Sequence, residues 1–325
     1  MTDTMMRAIQ IEAYGGPEVL VPADLPTPEP GPGEVLVRAA ASGVNFVDIY
    51  HRTGAYPNPL PFVPGVEGAG TVVAVGPGVT DVAVGDRVGW CSGPGSYAEF
   101  VKLRADVVVV LPDGVSEELA AAGLLQGATA HYLTHASYPV RAGDTVLVHA
   151  AAGGTGQLVT QYAHALGARV IGTVSTDAKE ATARAAGADE VLRYDDDVAK
   201  EVRRLTDGEG VPAVFDGVGR ATFDVSLASL APRGTLVTFG SASGVVAPLD
   251  IARLAAGSYF VTRPSLGHHL RTRAELVERL GDVLHRLADG ALRVTVTRRF
   301  PLAEAAAAHE ALASRGTTGK LLLIP

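Results

Sequence analysis

The stretch DTVLVHAAAGGTGQLVTQYAHAL (residues 144–166) decides the fold. It opens on DTVLVHA, an apolar run of buried-strand type. It closes on Val159, Tyr162, Ala163 and Leu166, which recur at i, i+3, i+4 and i+7, the spacing of one helix face. Between strand and helix lies the glycine turn Gly153, Gly154, Thr155, Gly156. A strand that passes through glycines into a helix is what a dinucleotide-phosphate loop needs. The glycines permit a tight turn and close approach of backbone N–H groups, and the helix N-terminus adds partial positive charge. The loop departs from G-x-G-x-x-G, because alanine stands for the leading glycine.

Outward from this turn, strand and helix patterns alternate. ARVIGTV (from Ala168) reads as a strand, and a helix follows from about Asp177 to Ala186 with Gly187 as its stop. DEVLRY (from Asp189) precedes another helix that starts near Asp197, with Asp195, Asp196 and Asp197 as capping rather than metal-binding carboxylates. VPAVFDGV (from Val211), TFDVSLASL (from Thr222), GTLVTFG (from Gly234) and YFVTRPS (from Tyr259) continue the series. Repeated β-α units with apolar strands imply a parallel sheet covered on both faces, hence a doubly wound α/β fold. The first 120 or so residues differ. Short Val-rich runs such as EVLVRAAASGV (from Glu34) and GAGTVVAVGPGV (from Gly68) are punctuated by Pro28, Pro30, Pro32, Pro57, Pro59, Pro61 and Pro64. This predicts many turns and a barrel-like or irregular sheet. The texture changes near Glu117. After Leu266 come a long amphipathic helix (from Arg273), an Ala-rich helix (from Ala303) and the closing strand KLLLIP. We expect this tail to pack back on the first domain. The domains would then be 1–125 with 267–325, and 126–266.

The chain has 325 residues, 47% hydrophobic and 19% charged, enough for two packed domains. Its net charge of -8 argues against a nucleic-acid partner, which requires a basic face. Cys91 is the only cysteine, which excludes an intramolecular disulfide and a cysteine-rich zinc lobe. One thiol in so long a chain suits a reducing compartment. The amino-terminal MTDTMMRAIQIEAYGG lacks the apolar core of a signal peptide, and no run is long enough for a membrane span. The expected setting is cytoplasmic.

The second strand discriminates between cofactors. NAD enzymes place Asp or Glu about 20 residues beyond the loop. Here the region reads Gly172, Thr173, Val174, Ser175, Thr176, which leaves room for a 2′-phosphate, and Lys179 follows as a countercharge. Asp177 stands against this unless it caps the next helix, the role expected of it. The residues therefore favour NADPH.

SGVNFVDIYHRTGAYP (from Ser42), PGVEGAG (from Pro64), HAAAGGTGQ (from His149), VFDGVG (from Val214), TFGSASG (from Thr238), VTRPSL (from Val261) and the final LLLIP together carry a family resemblance. Across nearly its whole length the chain resembles the zinc-independent quinone oxidoreductases of zeta-crystallin type, in the medium-chain dehydrogenase/reductase superfamily. The resemblance implies a GroES-like β-rich catalytic domain plus a doubly wound Rossmann domain, with NADPH in the cleft. It implies that Asn45, Tyr50 and Tyr56 line the substrate pocket, with Asn45 also near the cofactor, and that Thr129 lies at the mouth of the cleft. Gly153, Gly154, Thr155 and Gly156 would face the pyrophosphate. Ser175, Lys179 and Tyr194 would hold the adenosine end. Phe239, Gly240, Ser241, Ser265 and Leu266 would line the nicotinamide side, and Lys320 would be a further phosphate contact.

Zinc-dependent relatives carry Cys where Asn45 stands and Gly-His-Glu where Gly65, Val66 and Glu67 stand. Asn and Val are poor replacements for thiolate and imidazole, so no metal is expected. His131 and His135 share ligand spacing on a predicted helix but lack a third ligand, and His268 and His269 read as loop residues. Arg52 and Arg263 read as surface or ion-pair residues. Without a Lewis acid, the chemistry left is hydride transfer from NADPH to a strong acceptor. The expected function is an NADPH-dependent quinone oxidoreductase, two-electron or one-electron. The alternatives are an alkenal/enone reductase, with Tyr56 as candidate proton donor, and a non-catalytic NADPH-binding or RNA-binding protein. The apolar strands that end the sheet predict a homodimer.

Overall fold

The computed structural model describes residues 4–314 and 316–325. The first three residues of the amino-terminal stretch, and Arg315 at the end of the Ala-rich segment, lie outside the described residues. The chain divides into two units, Met1–Leu125 with Arg271–Pro325, and Gln126–Leu270. The second boundary falls after the short helix Leu266–His269, which a boundary at residue 266 would cut. His268 and His269 are thus helical rather than loop, and the His269 ring stacks on Tyr132 with centroids 4.3 Å apart.

The unit Gln126–Leu270 is built on six parallel strands. Their order across the sheet is Glu190–Arg193, Arg169–Val174, Thr145–Val148, Val211–Asp216, Leu230–Thr238, Phe260–Thr262. In chain order this is 3-2-1-4-5-6, the Rossmann arrangement, which places a ligand crevice at the carboxyl ends of the strands where the order reverses. The central strands are largely apolar, and helices cover them. Leu147, Ile171, Val214 and Leu236 are buried in one cluster with Phe223 and Leu227 from the helix Phe223–Ser229. The helix Gly154–Ala165 buries Leu158, Val159, Tyr162 and Ala163. The helix Asp177–Ala185 ends before Gly187, whose φ of +103° is the left-handed conformation that glycine adopts at least cost.

The other unit centres on the long strand Glu34–Val44. Strands Gly68–Val75 and Phe100–Arg104 pair antiparallel with it. The carboxyl-terminal strand Lys320–Ile324 does too, with Leu321 opposite Val44 and Leu323 opposite Ser42. The full path runs Val296–Pro301, Lys320–Ile324, Glu34–Val44, Gly68–Val75, Arg87–Trp90, Val109–Val110. Met5–Gln10 and Val21–Pro26 form a separate antiparallel pair. Val35, Val37, Val72, Val88, Trp90 and Val101 fill one core, and Cys91 is buried. Among the described residues no helix is long and apolar enough to cross a membrane.

Candidate functional site

Three neighbouring parallel strands end side by side. Thr145–Val148 leads into His149 and Ala150, Arg169–Val174 into Ser175, and Glu190–Arg193 into Tyr194. The turn after the first strand carries Ala150 at φ +51° and passes to Gly153, the N-cap of the helix Gly154–Ala165. Gly153 has no side chain, and the helix start has no side-chain cap, so its first-turn N–H groups are left for an anion. Glycine is required at 156, because a Cβ there would overlap the Ala150 carbonyl. His149 is buried and pairs through Nδ1 with Thr173 Oγ1 at 2.9 Å; burial pushes its pKa below the usual range. The Ala150 N–H donates to Tyr194 Oη at 2.8 Å, which ties Tyr194 to the glycine turn.

The corner after Ser175 differs from expectation in one respect. Asp177 does not cap the helix. Thr176 is the N-cap, and Asp177 is the first helical residue with its carboxylate turned to solvent. There it accepts from Arg193 Nη1 at 2.6 Å, while Arg193 Nη2 donates to the Ser175 carbonyl at 2.8 Å. Lys179 Nζ donates to Ser175 Oγ at 3.1 Å, and partial burial holds the Lys179 pKa below its ordinary value. Sequence reading missed Arg193, the last residue of an edge strand, because its place beside Val174 is set by the strand register. Asp197 does cap its helix, accepting from the Lys200 N–H at 3.2 Å.

Phe239, Gly240 and Ser241 follow the strand Leu230–Thr238, and the Phe239 N–H donates to the Asp216 carbonyl at 2.9 Å. Arg263 braces this segment, with Nη2 on Ser241 Oγ at 3.2 Å and Nη1 on the Gly240 carbonyl at 3.3 Å. Ser265 is the N-cap of the helix that Leu266 begins. Thr129 is buried within the helix Glu117–Tyr132. A further feature is the buried Asp216 carboxylate. It accepts from the N–H groups of Val218 and Gly219 at 2.8 and 3.0 Å and from the Thr222 and Ser226 hydroxyls, fixing the turn in VFDGVG.

In the other unit a second cluster surrounds Asn45, the N-cap of the helix Phe46–Arg52. Lys320 Nζ donates to Glu67 Oε2 at 2.5 Å and to Asn45 Oδ1 at 2.6 Å. Asn45 Nδ2 donates to the same Glu67 oxygen at 2.9 Å, and the Leu125 N–H to the other at 2.7 Å. Both charged side chains are fully buried, at 1% and 0% exposure. The phosphate-contact reading of Lys320 is therefore corrected: its ammonium is committed to a buried carboxylate and amide. Next to it Asp48 accepts from the Asn45 N–H at 2.8 Å and from Tyr97 Oη at 3.0 Å. Burial raises the Asp48 carboxyl to about 7. Tyr97 Oη lies 3.1 Å from His309 Nε2, and Arg52 Nη1 lies 3.4 Å from His309 Nδ1. Burial, with Arg52 adding to it, lowers the His309 pKa to about 3. Of the surface and ion-pair roles expected for Arg52 the surface one is corrected: the residue is buried, with its guanidinium against His309. Tyr50 and Tyr56 meet edge to face at 5.2 Å, with Tyr56 45% exposed.

A Rossmann sheet with a glycine-rich first turn, together with a β-rich unit closed by both chain ends, defines the class of the medium-chain dehydrogenases and reductases. Residues 31–113 match the model of the alcohol dehydrogenase GroES-like domain, and residues 154–281 that of the zinc-binding dehydrogenases. The chain is 48% identical over 325 residues to a quinone oxidoreductase of Pseudomonas aeruginosa, covering 99% of this chain and 100% of that one. It is 42% identical to a 2-haloacrylate reductase of a Burkholderia species, covering 99% of each. The crystal structure of Escherichia coli quinone oxidoreductase complexed with NADPH superimposes with a TM-score of 0.96 at 41% identity, covering 98% of this chain and 100% of that one. The chain belongs to the quinone oxidoreductase family.

The zinc named by one of those domain models does not fit the residues around Asn45. Val66 offers no donor, and Glu67 and Asn45 already hold the Lys320 ammonium, which carries its own charge and has no lone pair to give a metal. His131 and His135 stack at 4.2 Å. Among the described residues no three His, Cys, Asp or Glu side chains gather as a metal set.

Proposed function

We propose that this protein is an NADPH-dependent quinone oxidoreductase that works without a metal. The observation that carries the reading is the uncapped glycine start of the helix Gly154–Ala165 beside the Ser175–Lys179 pair, one site for a pyrophosphate and one for a 2′-phosphate. The residues fit the cofactor: Gly153, Gly154, Thr155 and Gly156 hold the pyrophosphate, and Ser175, Lys179 and Tyr194 the adenosine ribose. Phe239, Gly240, Ser241, Ser265 and Leu266 line the nicotinamide side. Asn45, expected at the pocket, is buried and commits both amide atoms to Lys320 and Glu67. When bound, NADPH supplies the hydride. The chain's residues would orient the acceptor and exclude water, and a quinone that takes up that hydride together with one proton from solvent leaves as the hydroquinone. Lys320 supports metal independence, because its ammonium is the cation that balances buried Glu67.

The identity to a 2-haloacrylate reductase favours a second reading, reduction of an activated alkene. There hydride adds at the β-carbon, and Tyr56, exposed beside Tyr50, donates the proton at the α-carbon. We further assign a cytoplasmic setting, supported by the single buried thiol. A homodimer is supported by the edge strand Phe260–Thr262, where Phe260 is 61% exposed.

Steady-state oxidation of NADPH and of NADH with a benzoquinone, a naphthoquinone and a short enal, corrected for the enzyme-free rate, tests the assignment. Quinone turnover faster with NADPH than with NADH is expected. Faster enal turnover transfers the assignment to alkene reduction, and no turnover with any acceptor overturns the enzyme reading. Sedimentation as a monomer at micromolar concentration overturns the dimer.

A further inference from the structure

We propose that Arg193 is a specificity-determining residue: it ion-pairs the Asp177 carboxylate and so makes the Ser175–Lys179 corner acceptable to a 2′-phosphate. The inference rests on the NADPH reading above and deepens it.

Asp177 is two residues beyond Ser175, in the first turn of the helix Asp177–Ala185. It is the only carboxylate in the segment 172–179. Its side chain is fully exposed and makes no helix cap, so left alone it would present a full negative charge beside the phosphate position. Arg193 removes that charge through a fixed geometry. The parallel register sets Arg193 beside Val174, the residue before Ser175. From there the guanidinium forks, one nitrogen 2.6 Å from Asp177 Oδ1 and the other 2.8 Å from the Ser175 carbonyl oxygen. The Arg193 backbone is itself anchored, since its N–H donates to Asp196 Oδ2 at 2.7 Å. The bond to the Ser175 carbonyl ties the fork to the backbone just past the end of the strand Arg169–Val174. A planar, permanently charged two-donor fork suits this task, which a lysine point charge would serve poorly. Lys179, two residues beyond Asp177 in the same helix, donates to Ser175 Oγ at 3.1 Å and adds a second cation to this corner.

The test measures dissociation constants for NADPH and NADH, by nucleotide fluorescence, on the full chain and on Arg193→Gln, Asp177→Asn and the double variant. NADH lacks the 2′-phosphate and is the internal control for folding and for the rest of the cofactor site. Arg193→Gln is expected to weaken NADPH roughly tenfold and NADH by less than about twofold, the size of one charge-assisted contact. Asp177→Asn added to Arg193→Gln is expected to restore most of the NADPH affinity, because the charge to be neutralised is gone. An unchanged NADPH-to-NADH ratio in Arg193→Gln overturns the proposal. So does equal weakening of both cofactors, which would make Arg193 a plain brace, and so does a double variant that fails to recover. A parent protein that binds NADPH no more tightly than NADH overturns the cofactor reading itself and this inference with it, and the parent measurement alone distinguishes that case.

Discussion

The two charge clusters of this protein use the same side-chain types in opposite surroundings. Around Asn45 a lysine, two carboxylates, a tyrosine, a histidine and an arginine are buried beneath the β-rich unit. At the ends of the parallel strands a fully exposed aspartate meets a half-buried arginine and lies near a half-buried lysine. Burial makes the Lys320–Glu67 pair obligatory, because an ion taken out of water is tolerated only with its partner, and it favours the neutral forms of Asp48 and His309. Exposure makes the charges in the second cluster nearly neutral for folding and leaves them to act on a ligand. The first cluster shapes the domain, and the second chooses what binds to it.

The largest effect that would break this comparison is expected at Lys320. Lys320→Met leaves Glu67 buried without a counterion and should cost about 3–5 kcal/mol in urea unfolding. Adding Glu67→Gln should return most of that loss. A single variant as stable as the parent would mean that Glu67 does not depend on the Lys320 ammonium, and the cluster would lose its defining property.

A smaller effect is expected in the pH dependence of Asp48. In the folded protein this carboxyl keeps its proton up to about pH 7, while in the unfolded chain it ionises in the ordinary carboxylate range near pH ~4. Between those values the folded state binds more protons, so the stability associated with Asp48 falls as pH rises, and it levels off above pH 7. Asp48→Asn carries no such proton. The stability difference, parent minus Asp48→Asn, should therefore drop by more than about 1 kcal/mol from pH 4 to pH 7. Parallel stability curves for the two proteins would remove Asp48 from the set of buried titrating groups.

The smallest effect sharpens the other side of the comparison. Arg184 pairs with Glu180 at 2.8 Å on the exposed face of the helix Asp177–Ala185. Arg184→Ala should change unfolding stability by no more than about 0.5 kcal/mol. A loss as large as that at Lys320 would show that exposure does not separate the two kinds of charge.

Much of the nucleotide side was legible in the sequence, because its signals are local. The glycine turn, its flanking strand and helix, the missing acid near Ser175 and the stop at Gly187 all lie within a few dozen consecutive residues and follow from backbone geometry. Arg193 was not legible. It meets Asp177 through the pairing of two strands, and nothing in the sequence announces the register of a parallel pair. Asp177 failed for a related reason: Thr176 and Asp177 are both acceptable helix starters, and the ion pair with Arg193 is set by the sheet rather than by the helix.

The residues around Asn45 mark the other limit. The sequence by itself determined that two kinds of domain alternate along this chain, that one winds a parallel sheet, and that cysteine and histidine ligands for zinc are missing near Asn45. Those are consequences of periodicity, glycine and proline placement, and residue chemistry. Only the tertiary structure decided that Lys320, at the far end of the chain, is the cation that balances Glu67, and that Arg52 and His309 are buried together. The reason is physical: a buried charge is defined by what surrounds it, and the strand that carries Lys320 enters those surroundings only when Lys320–Ile324 pairs with Glu34–Val44.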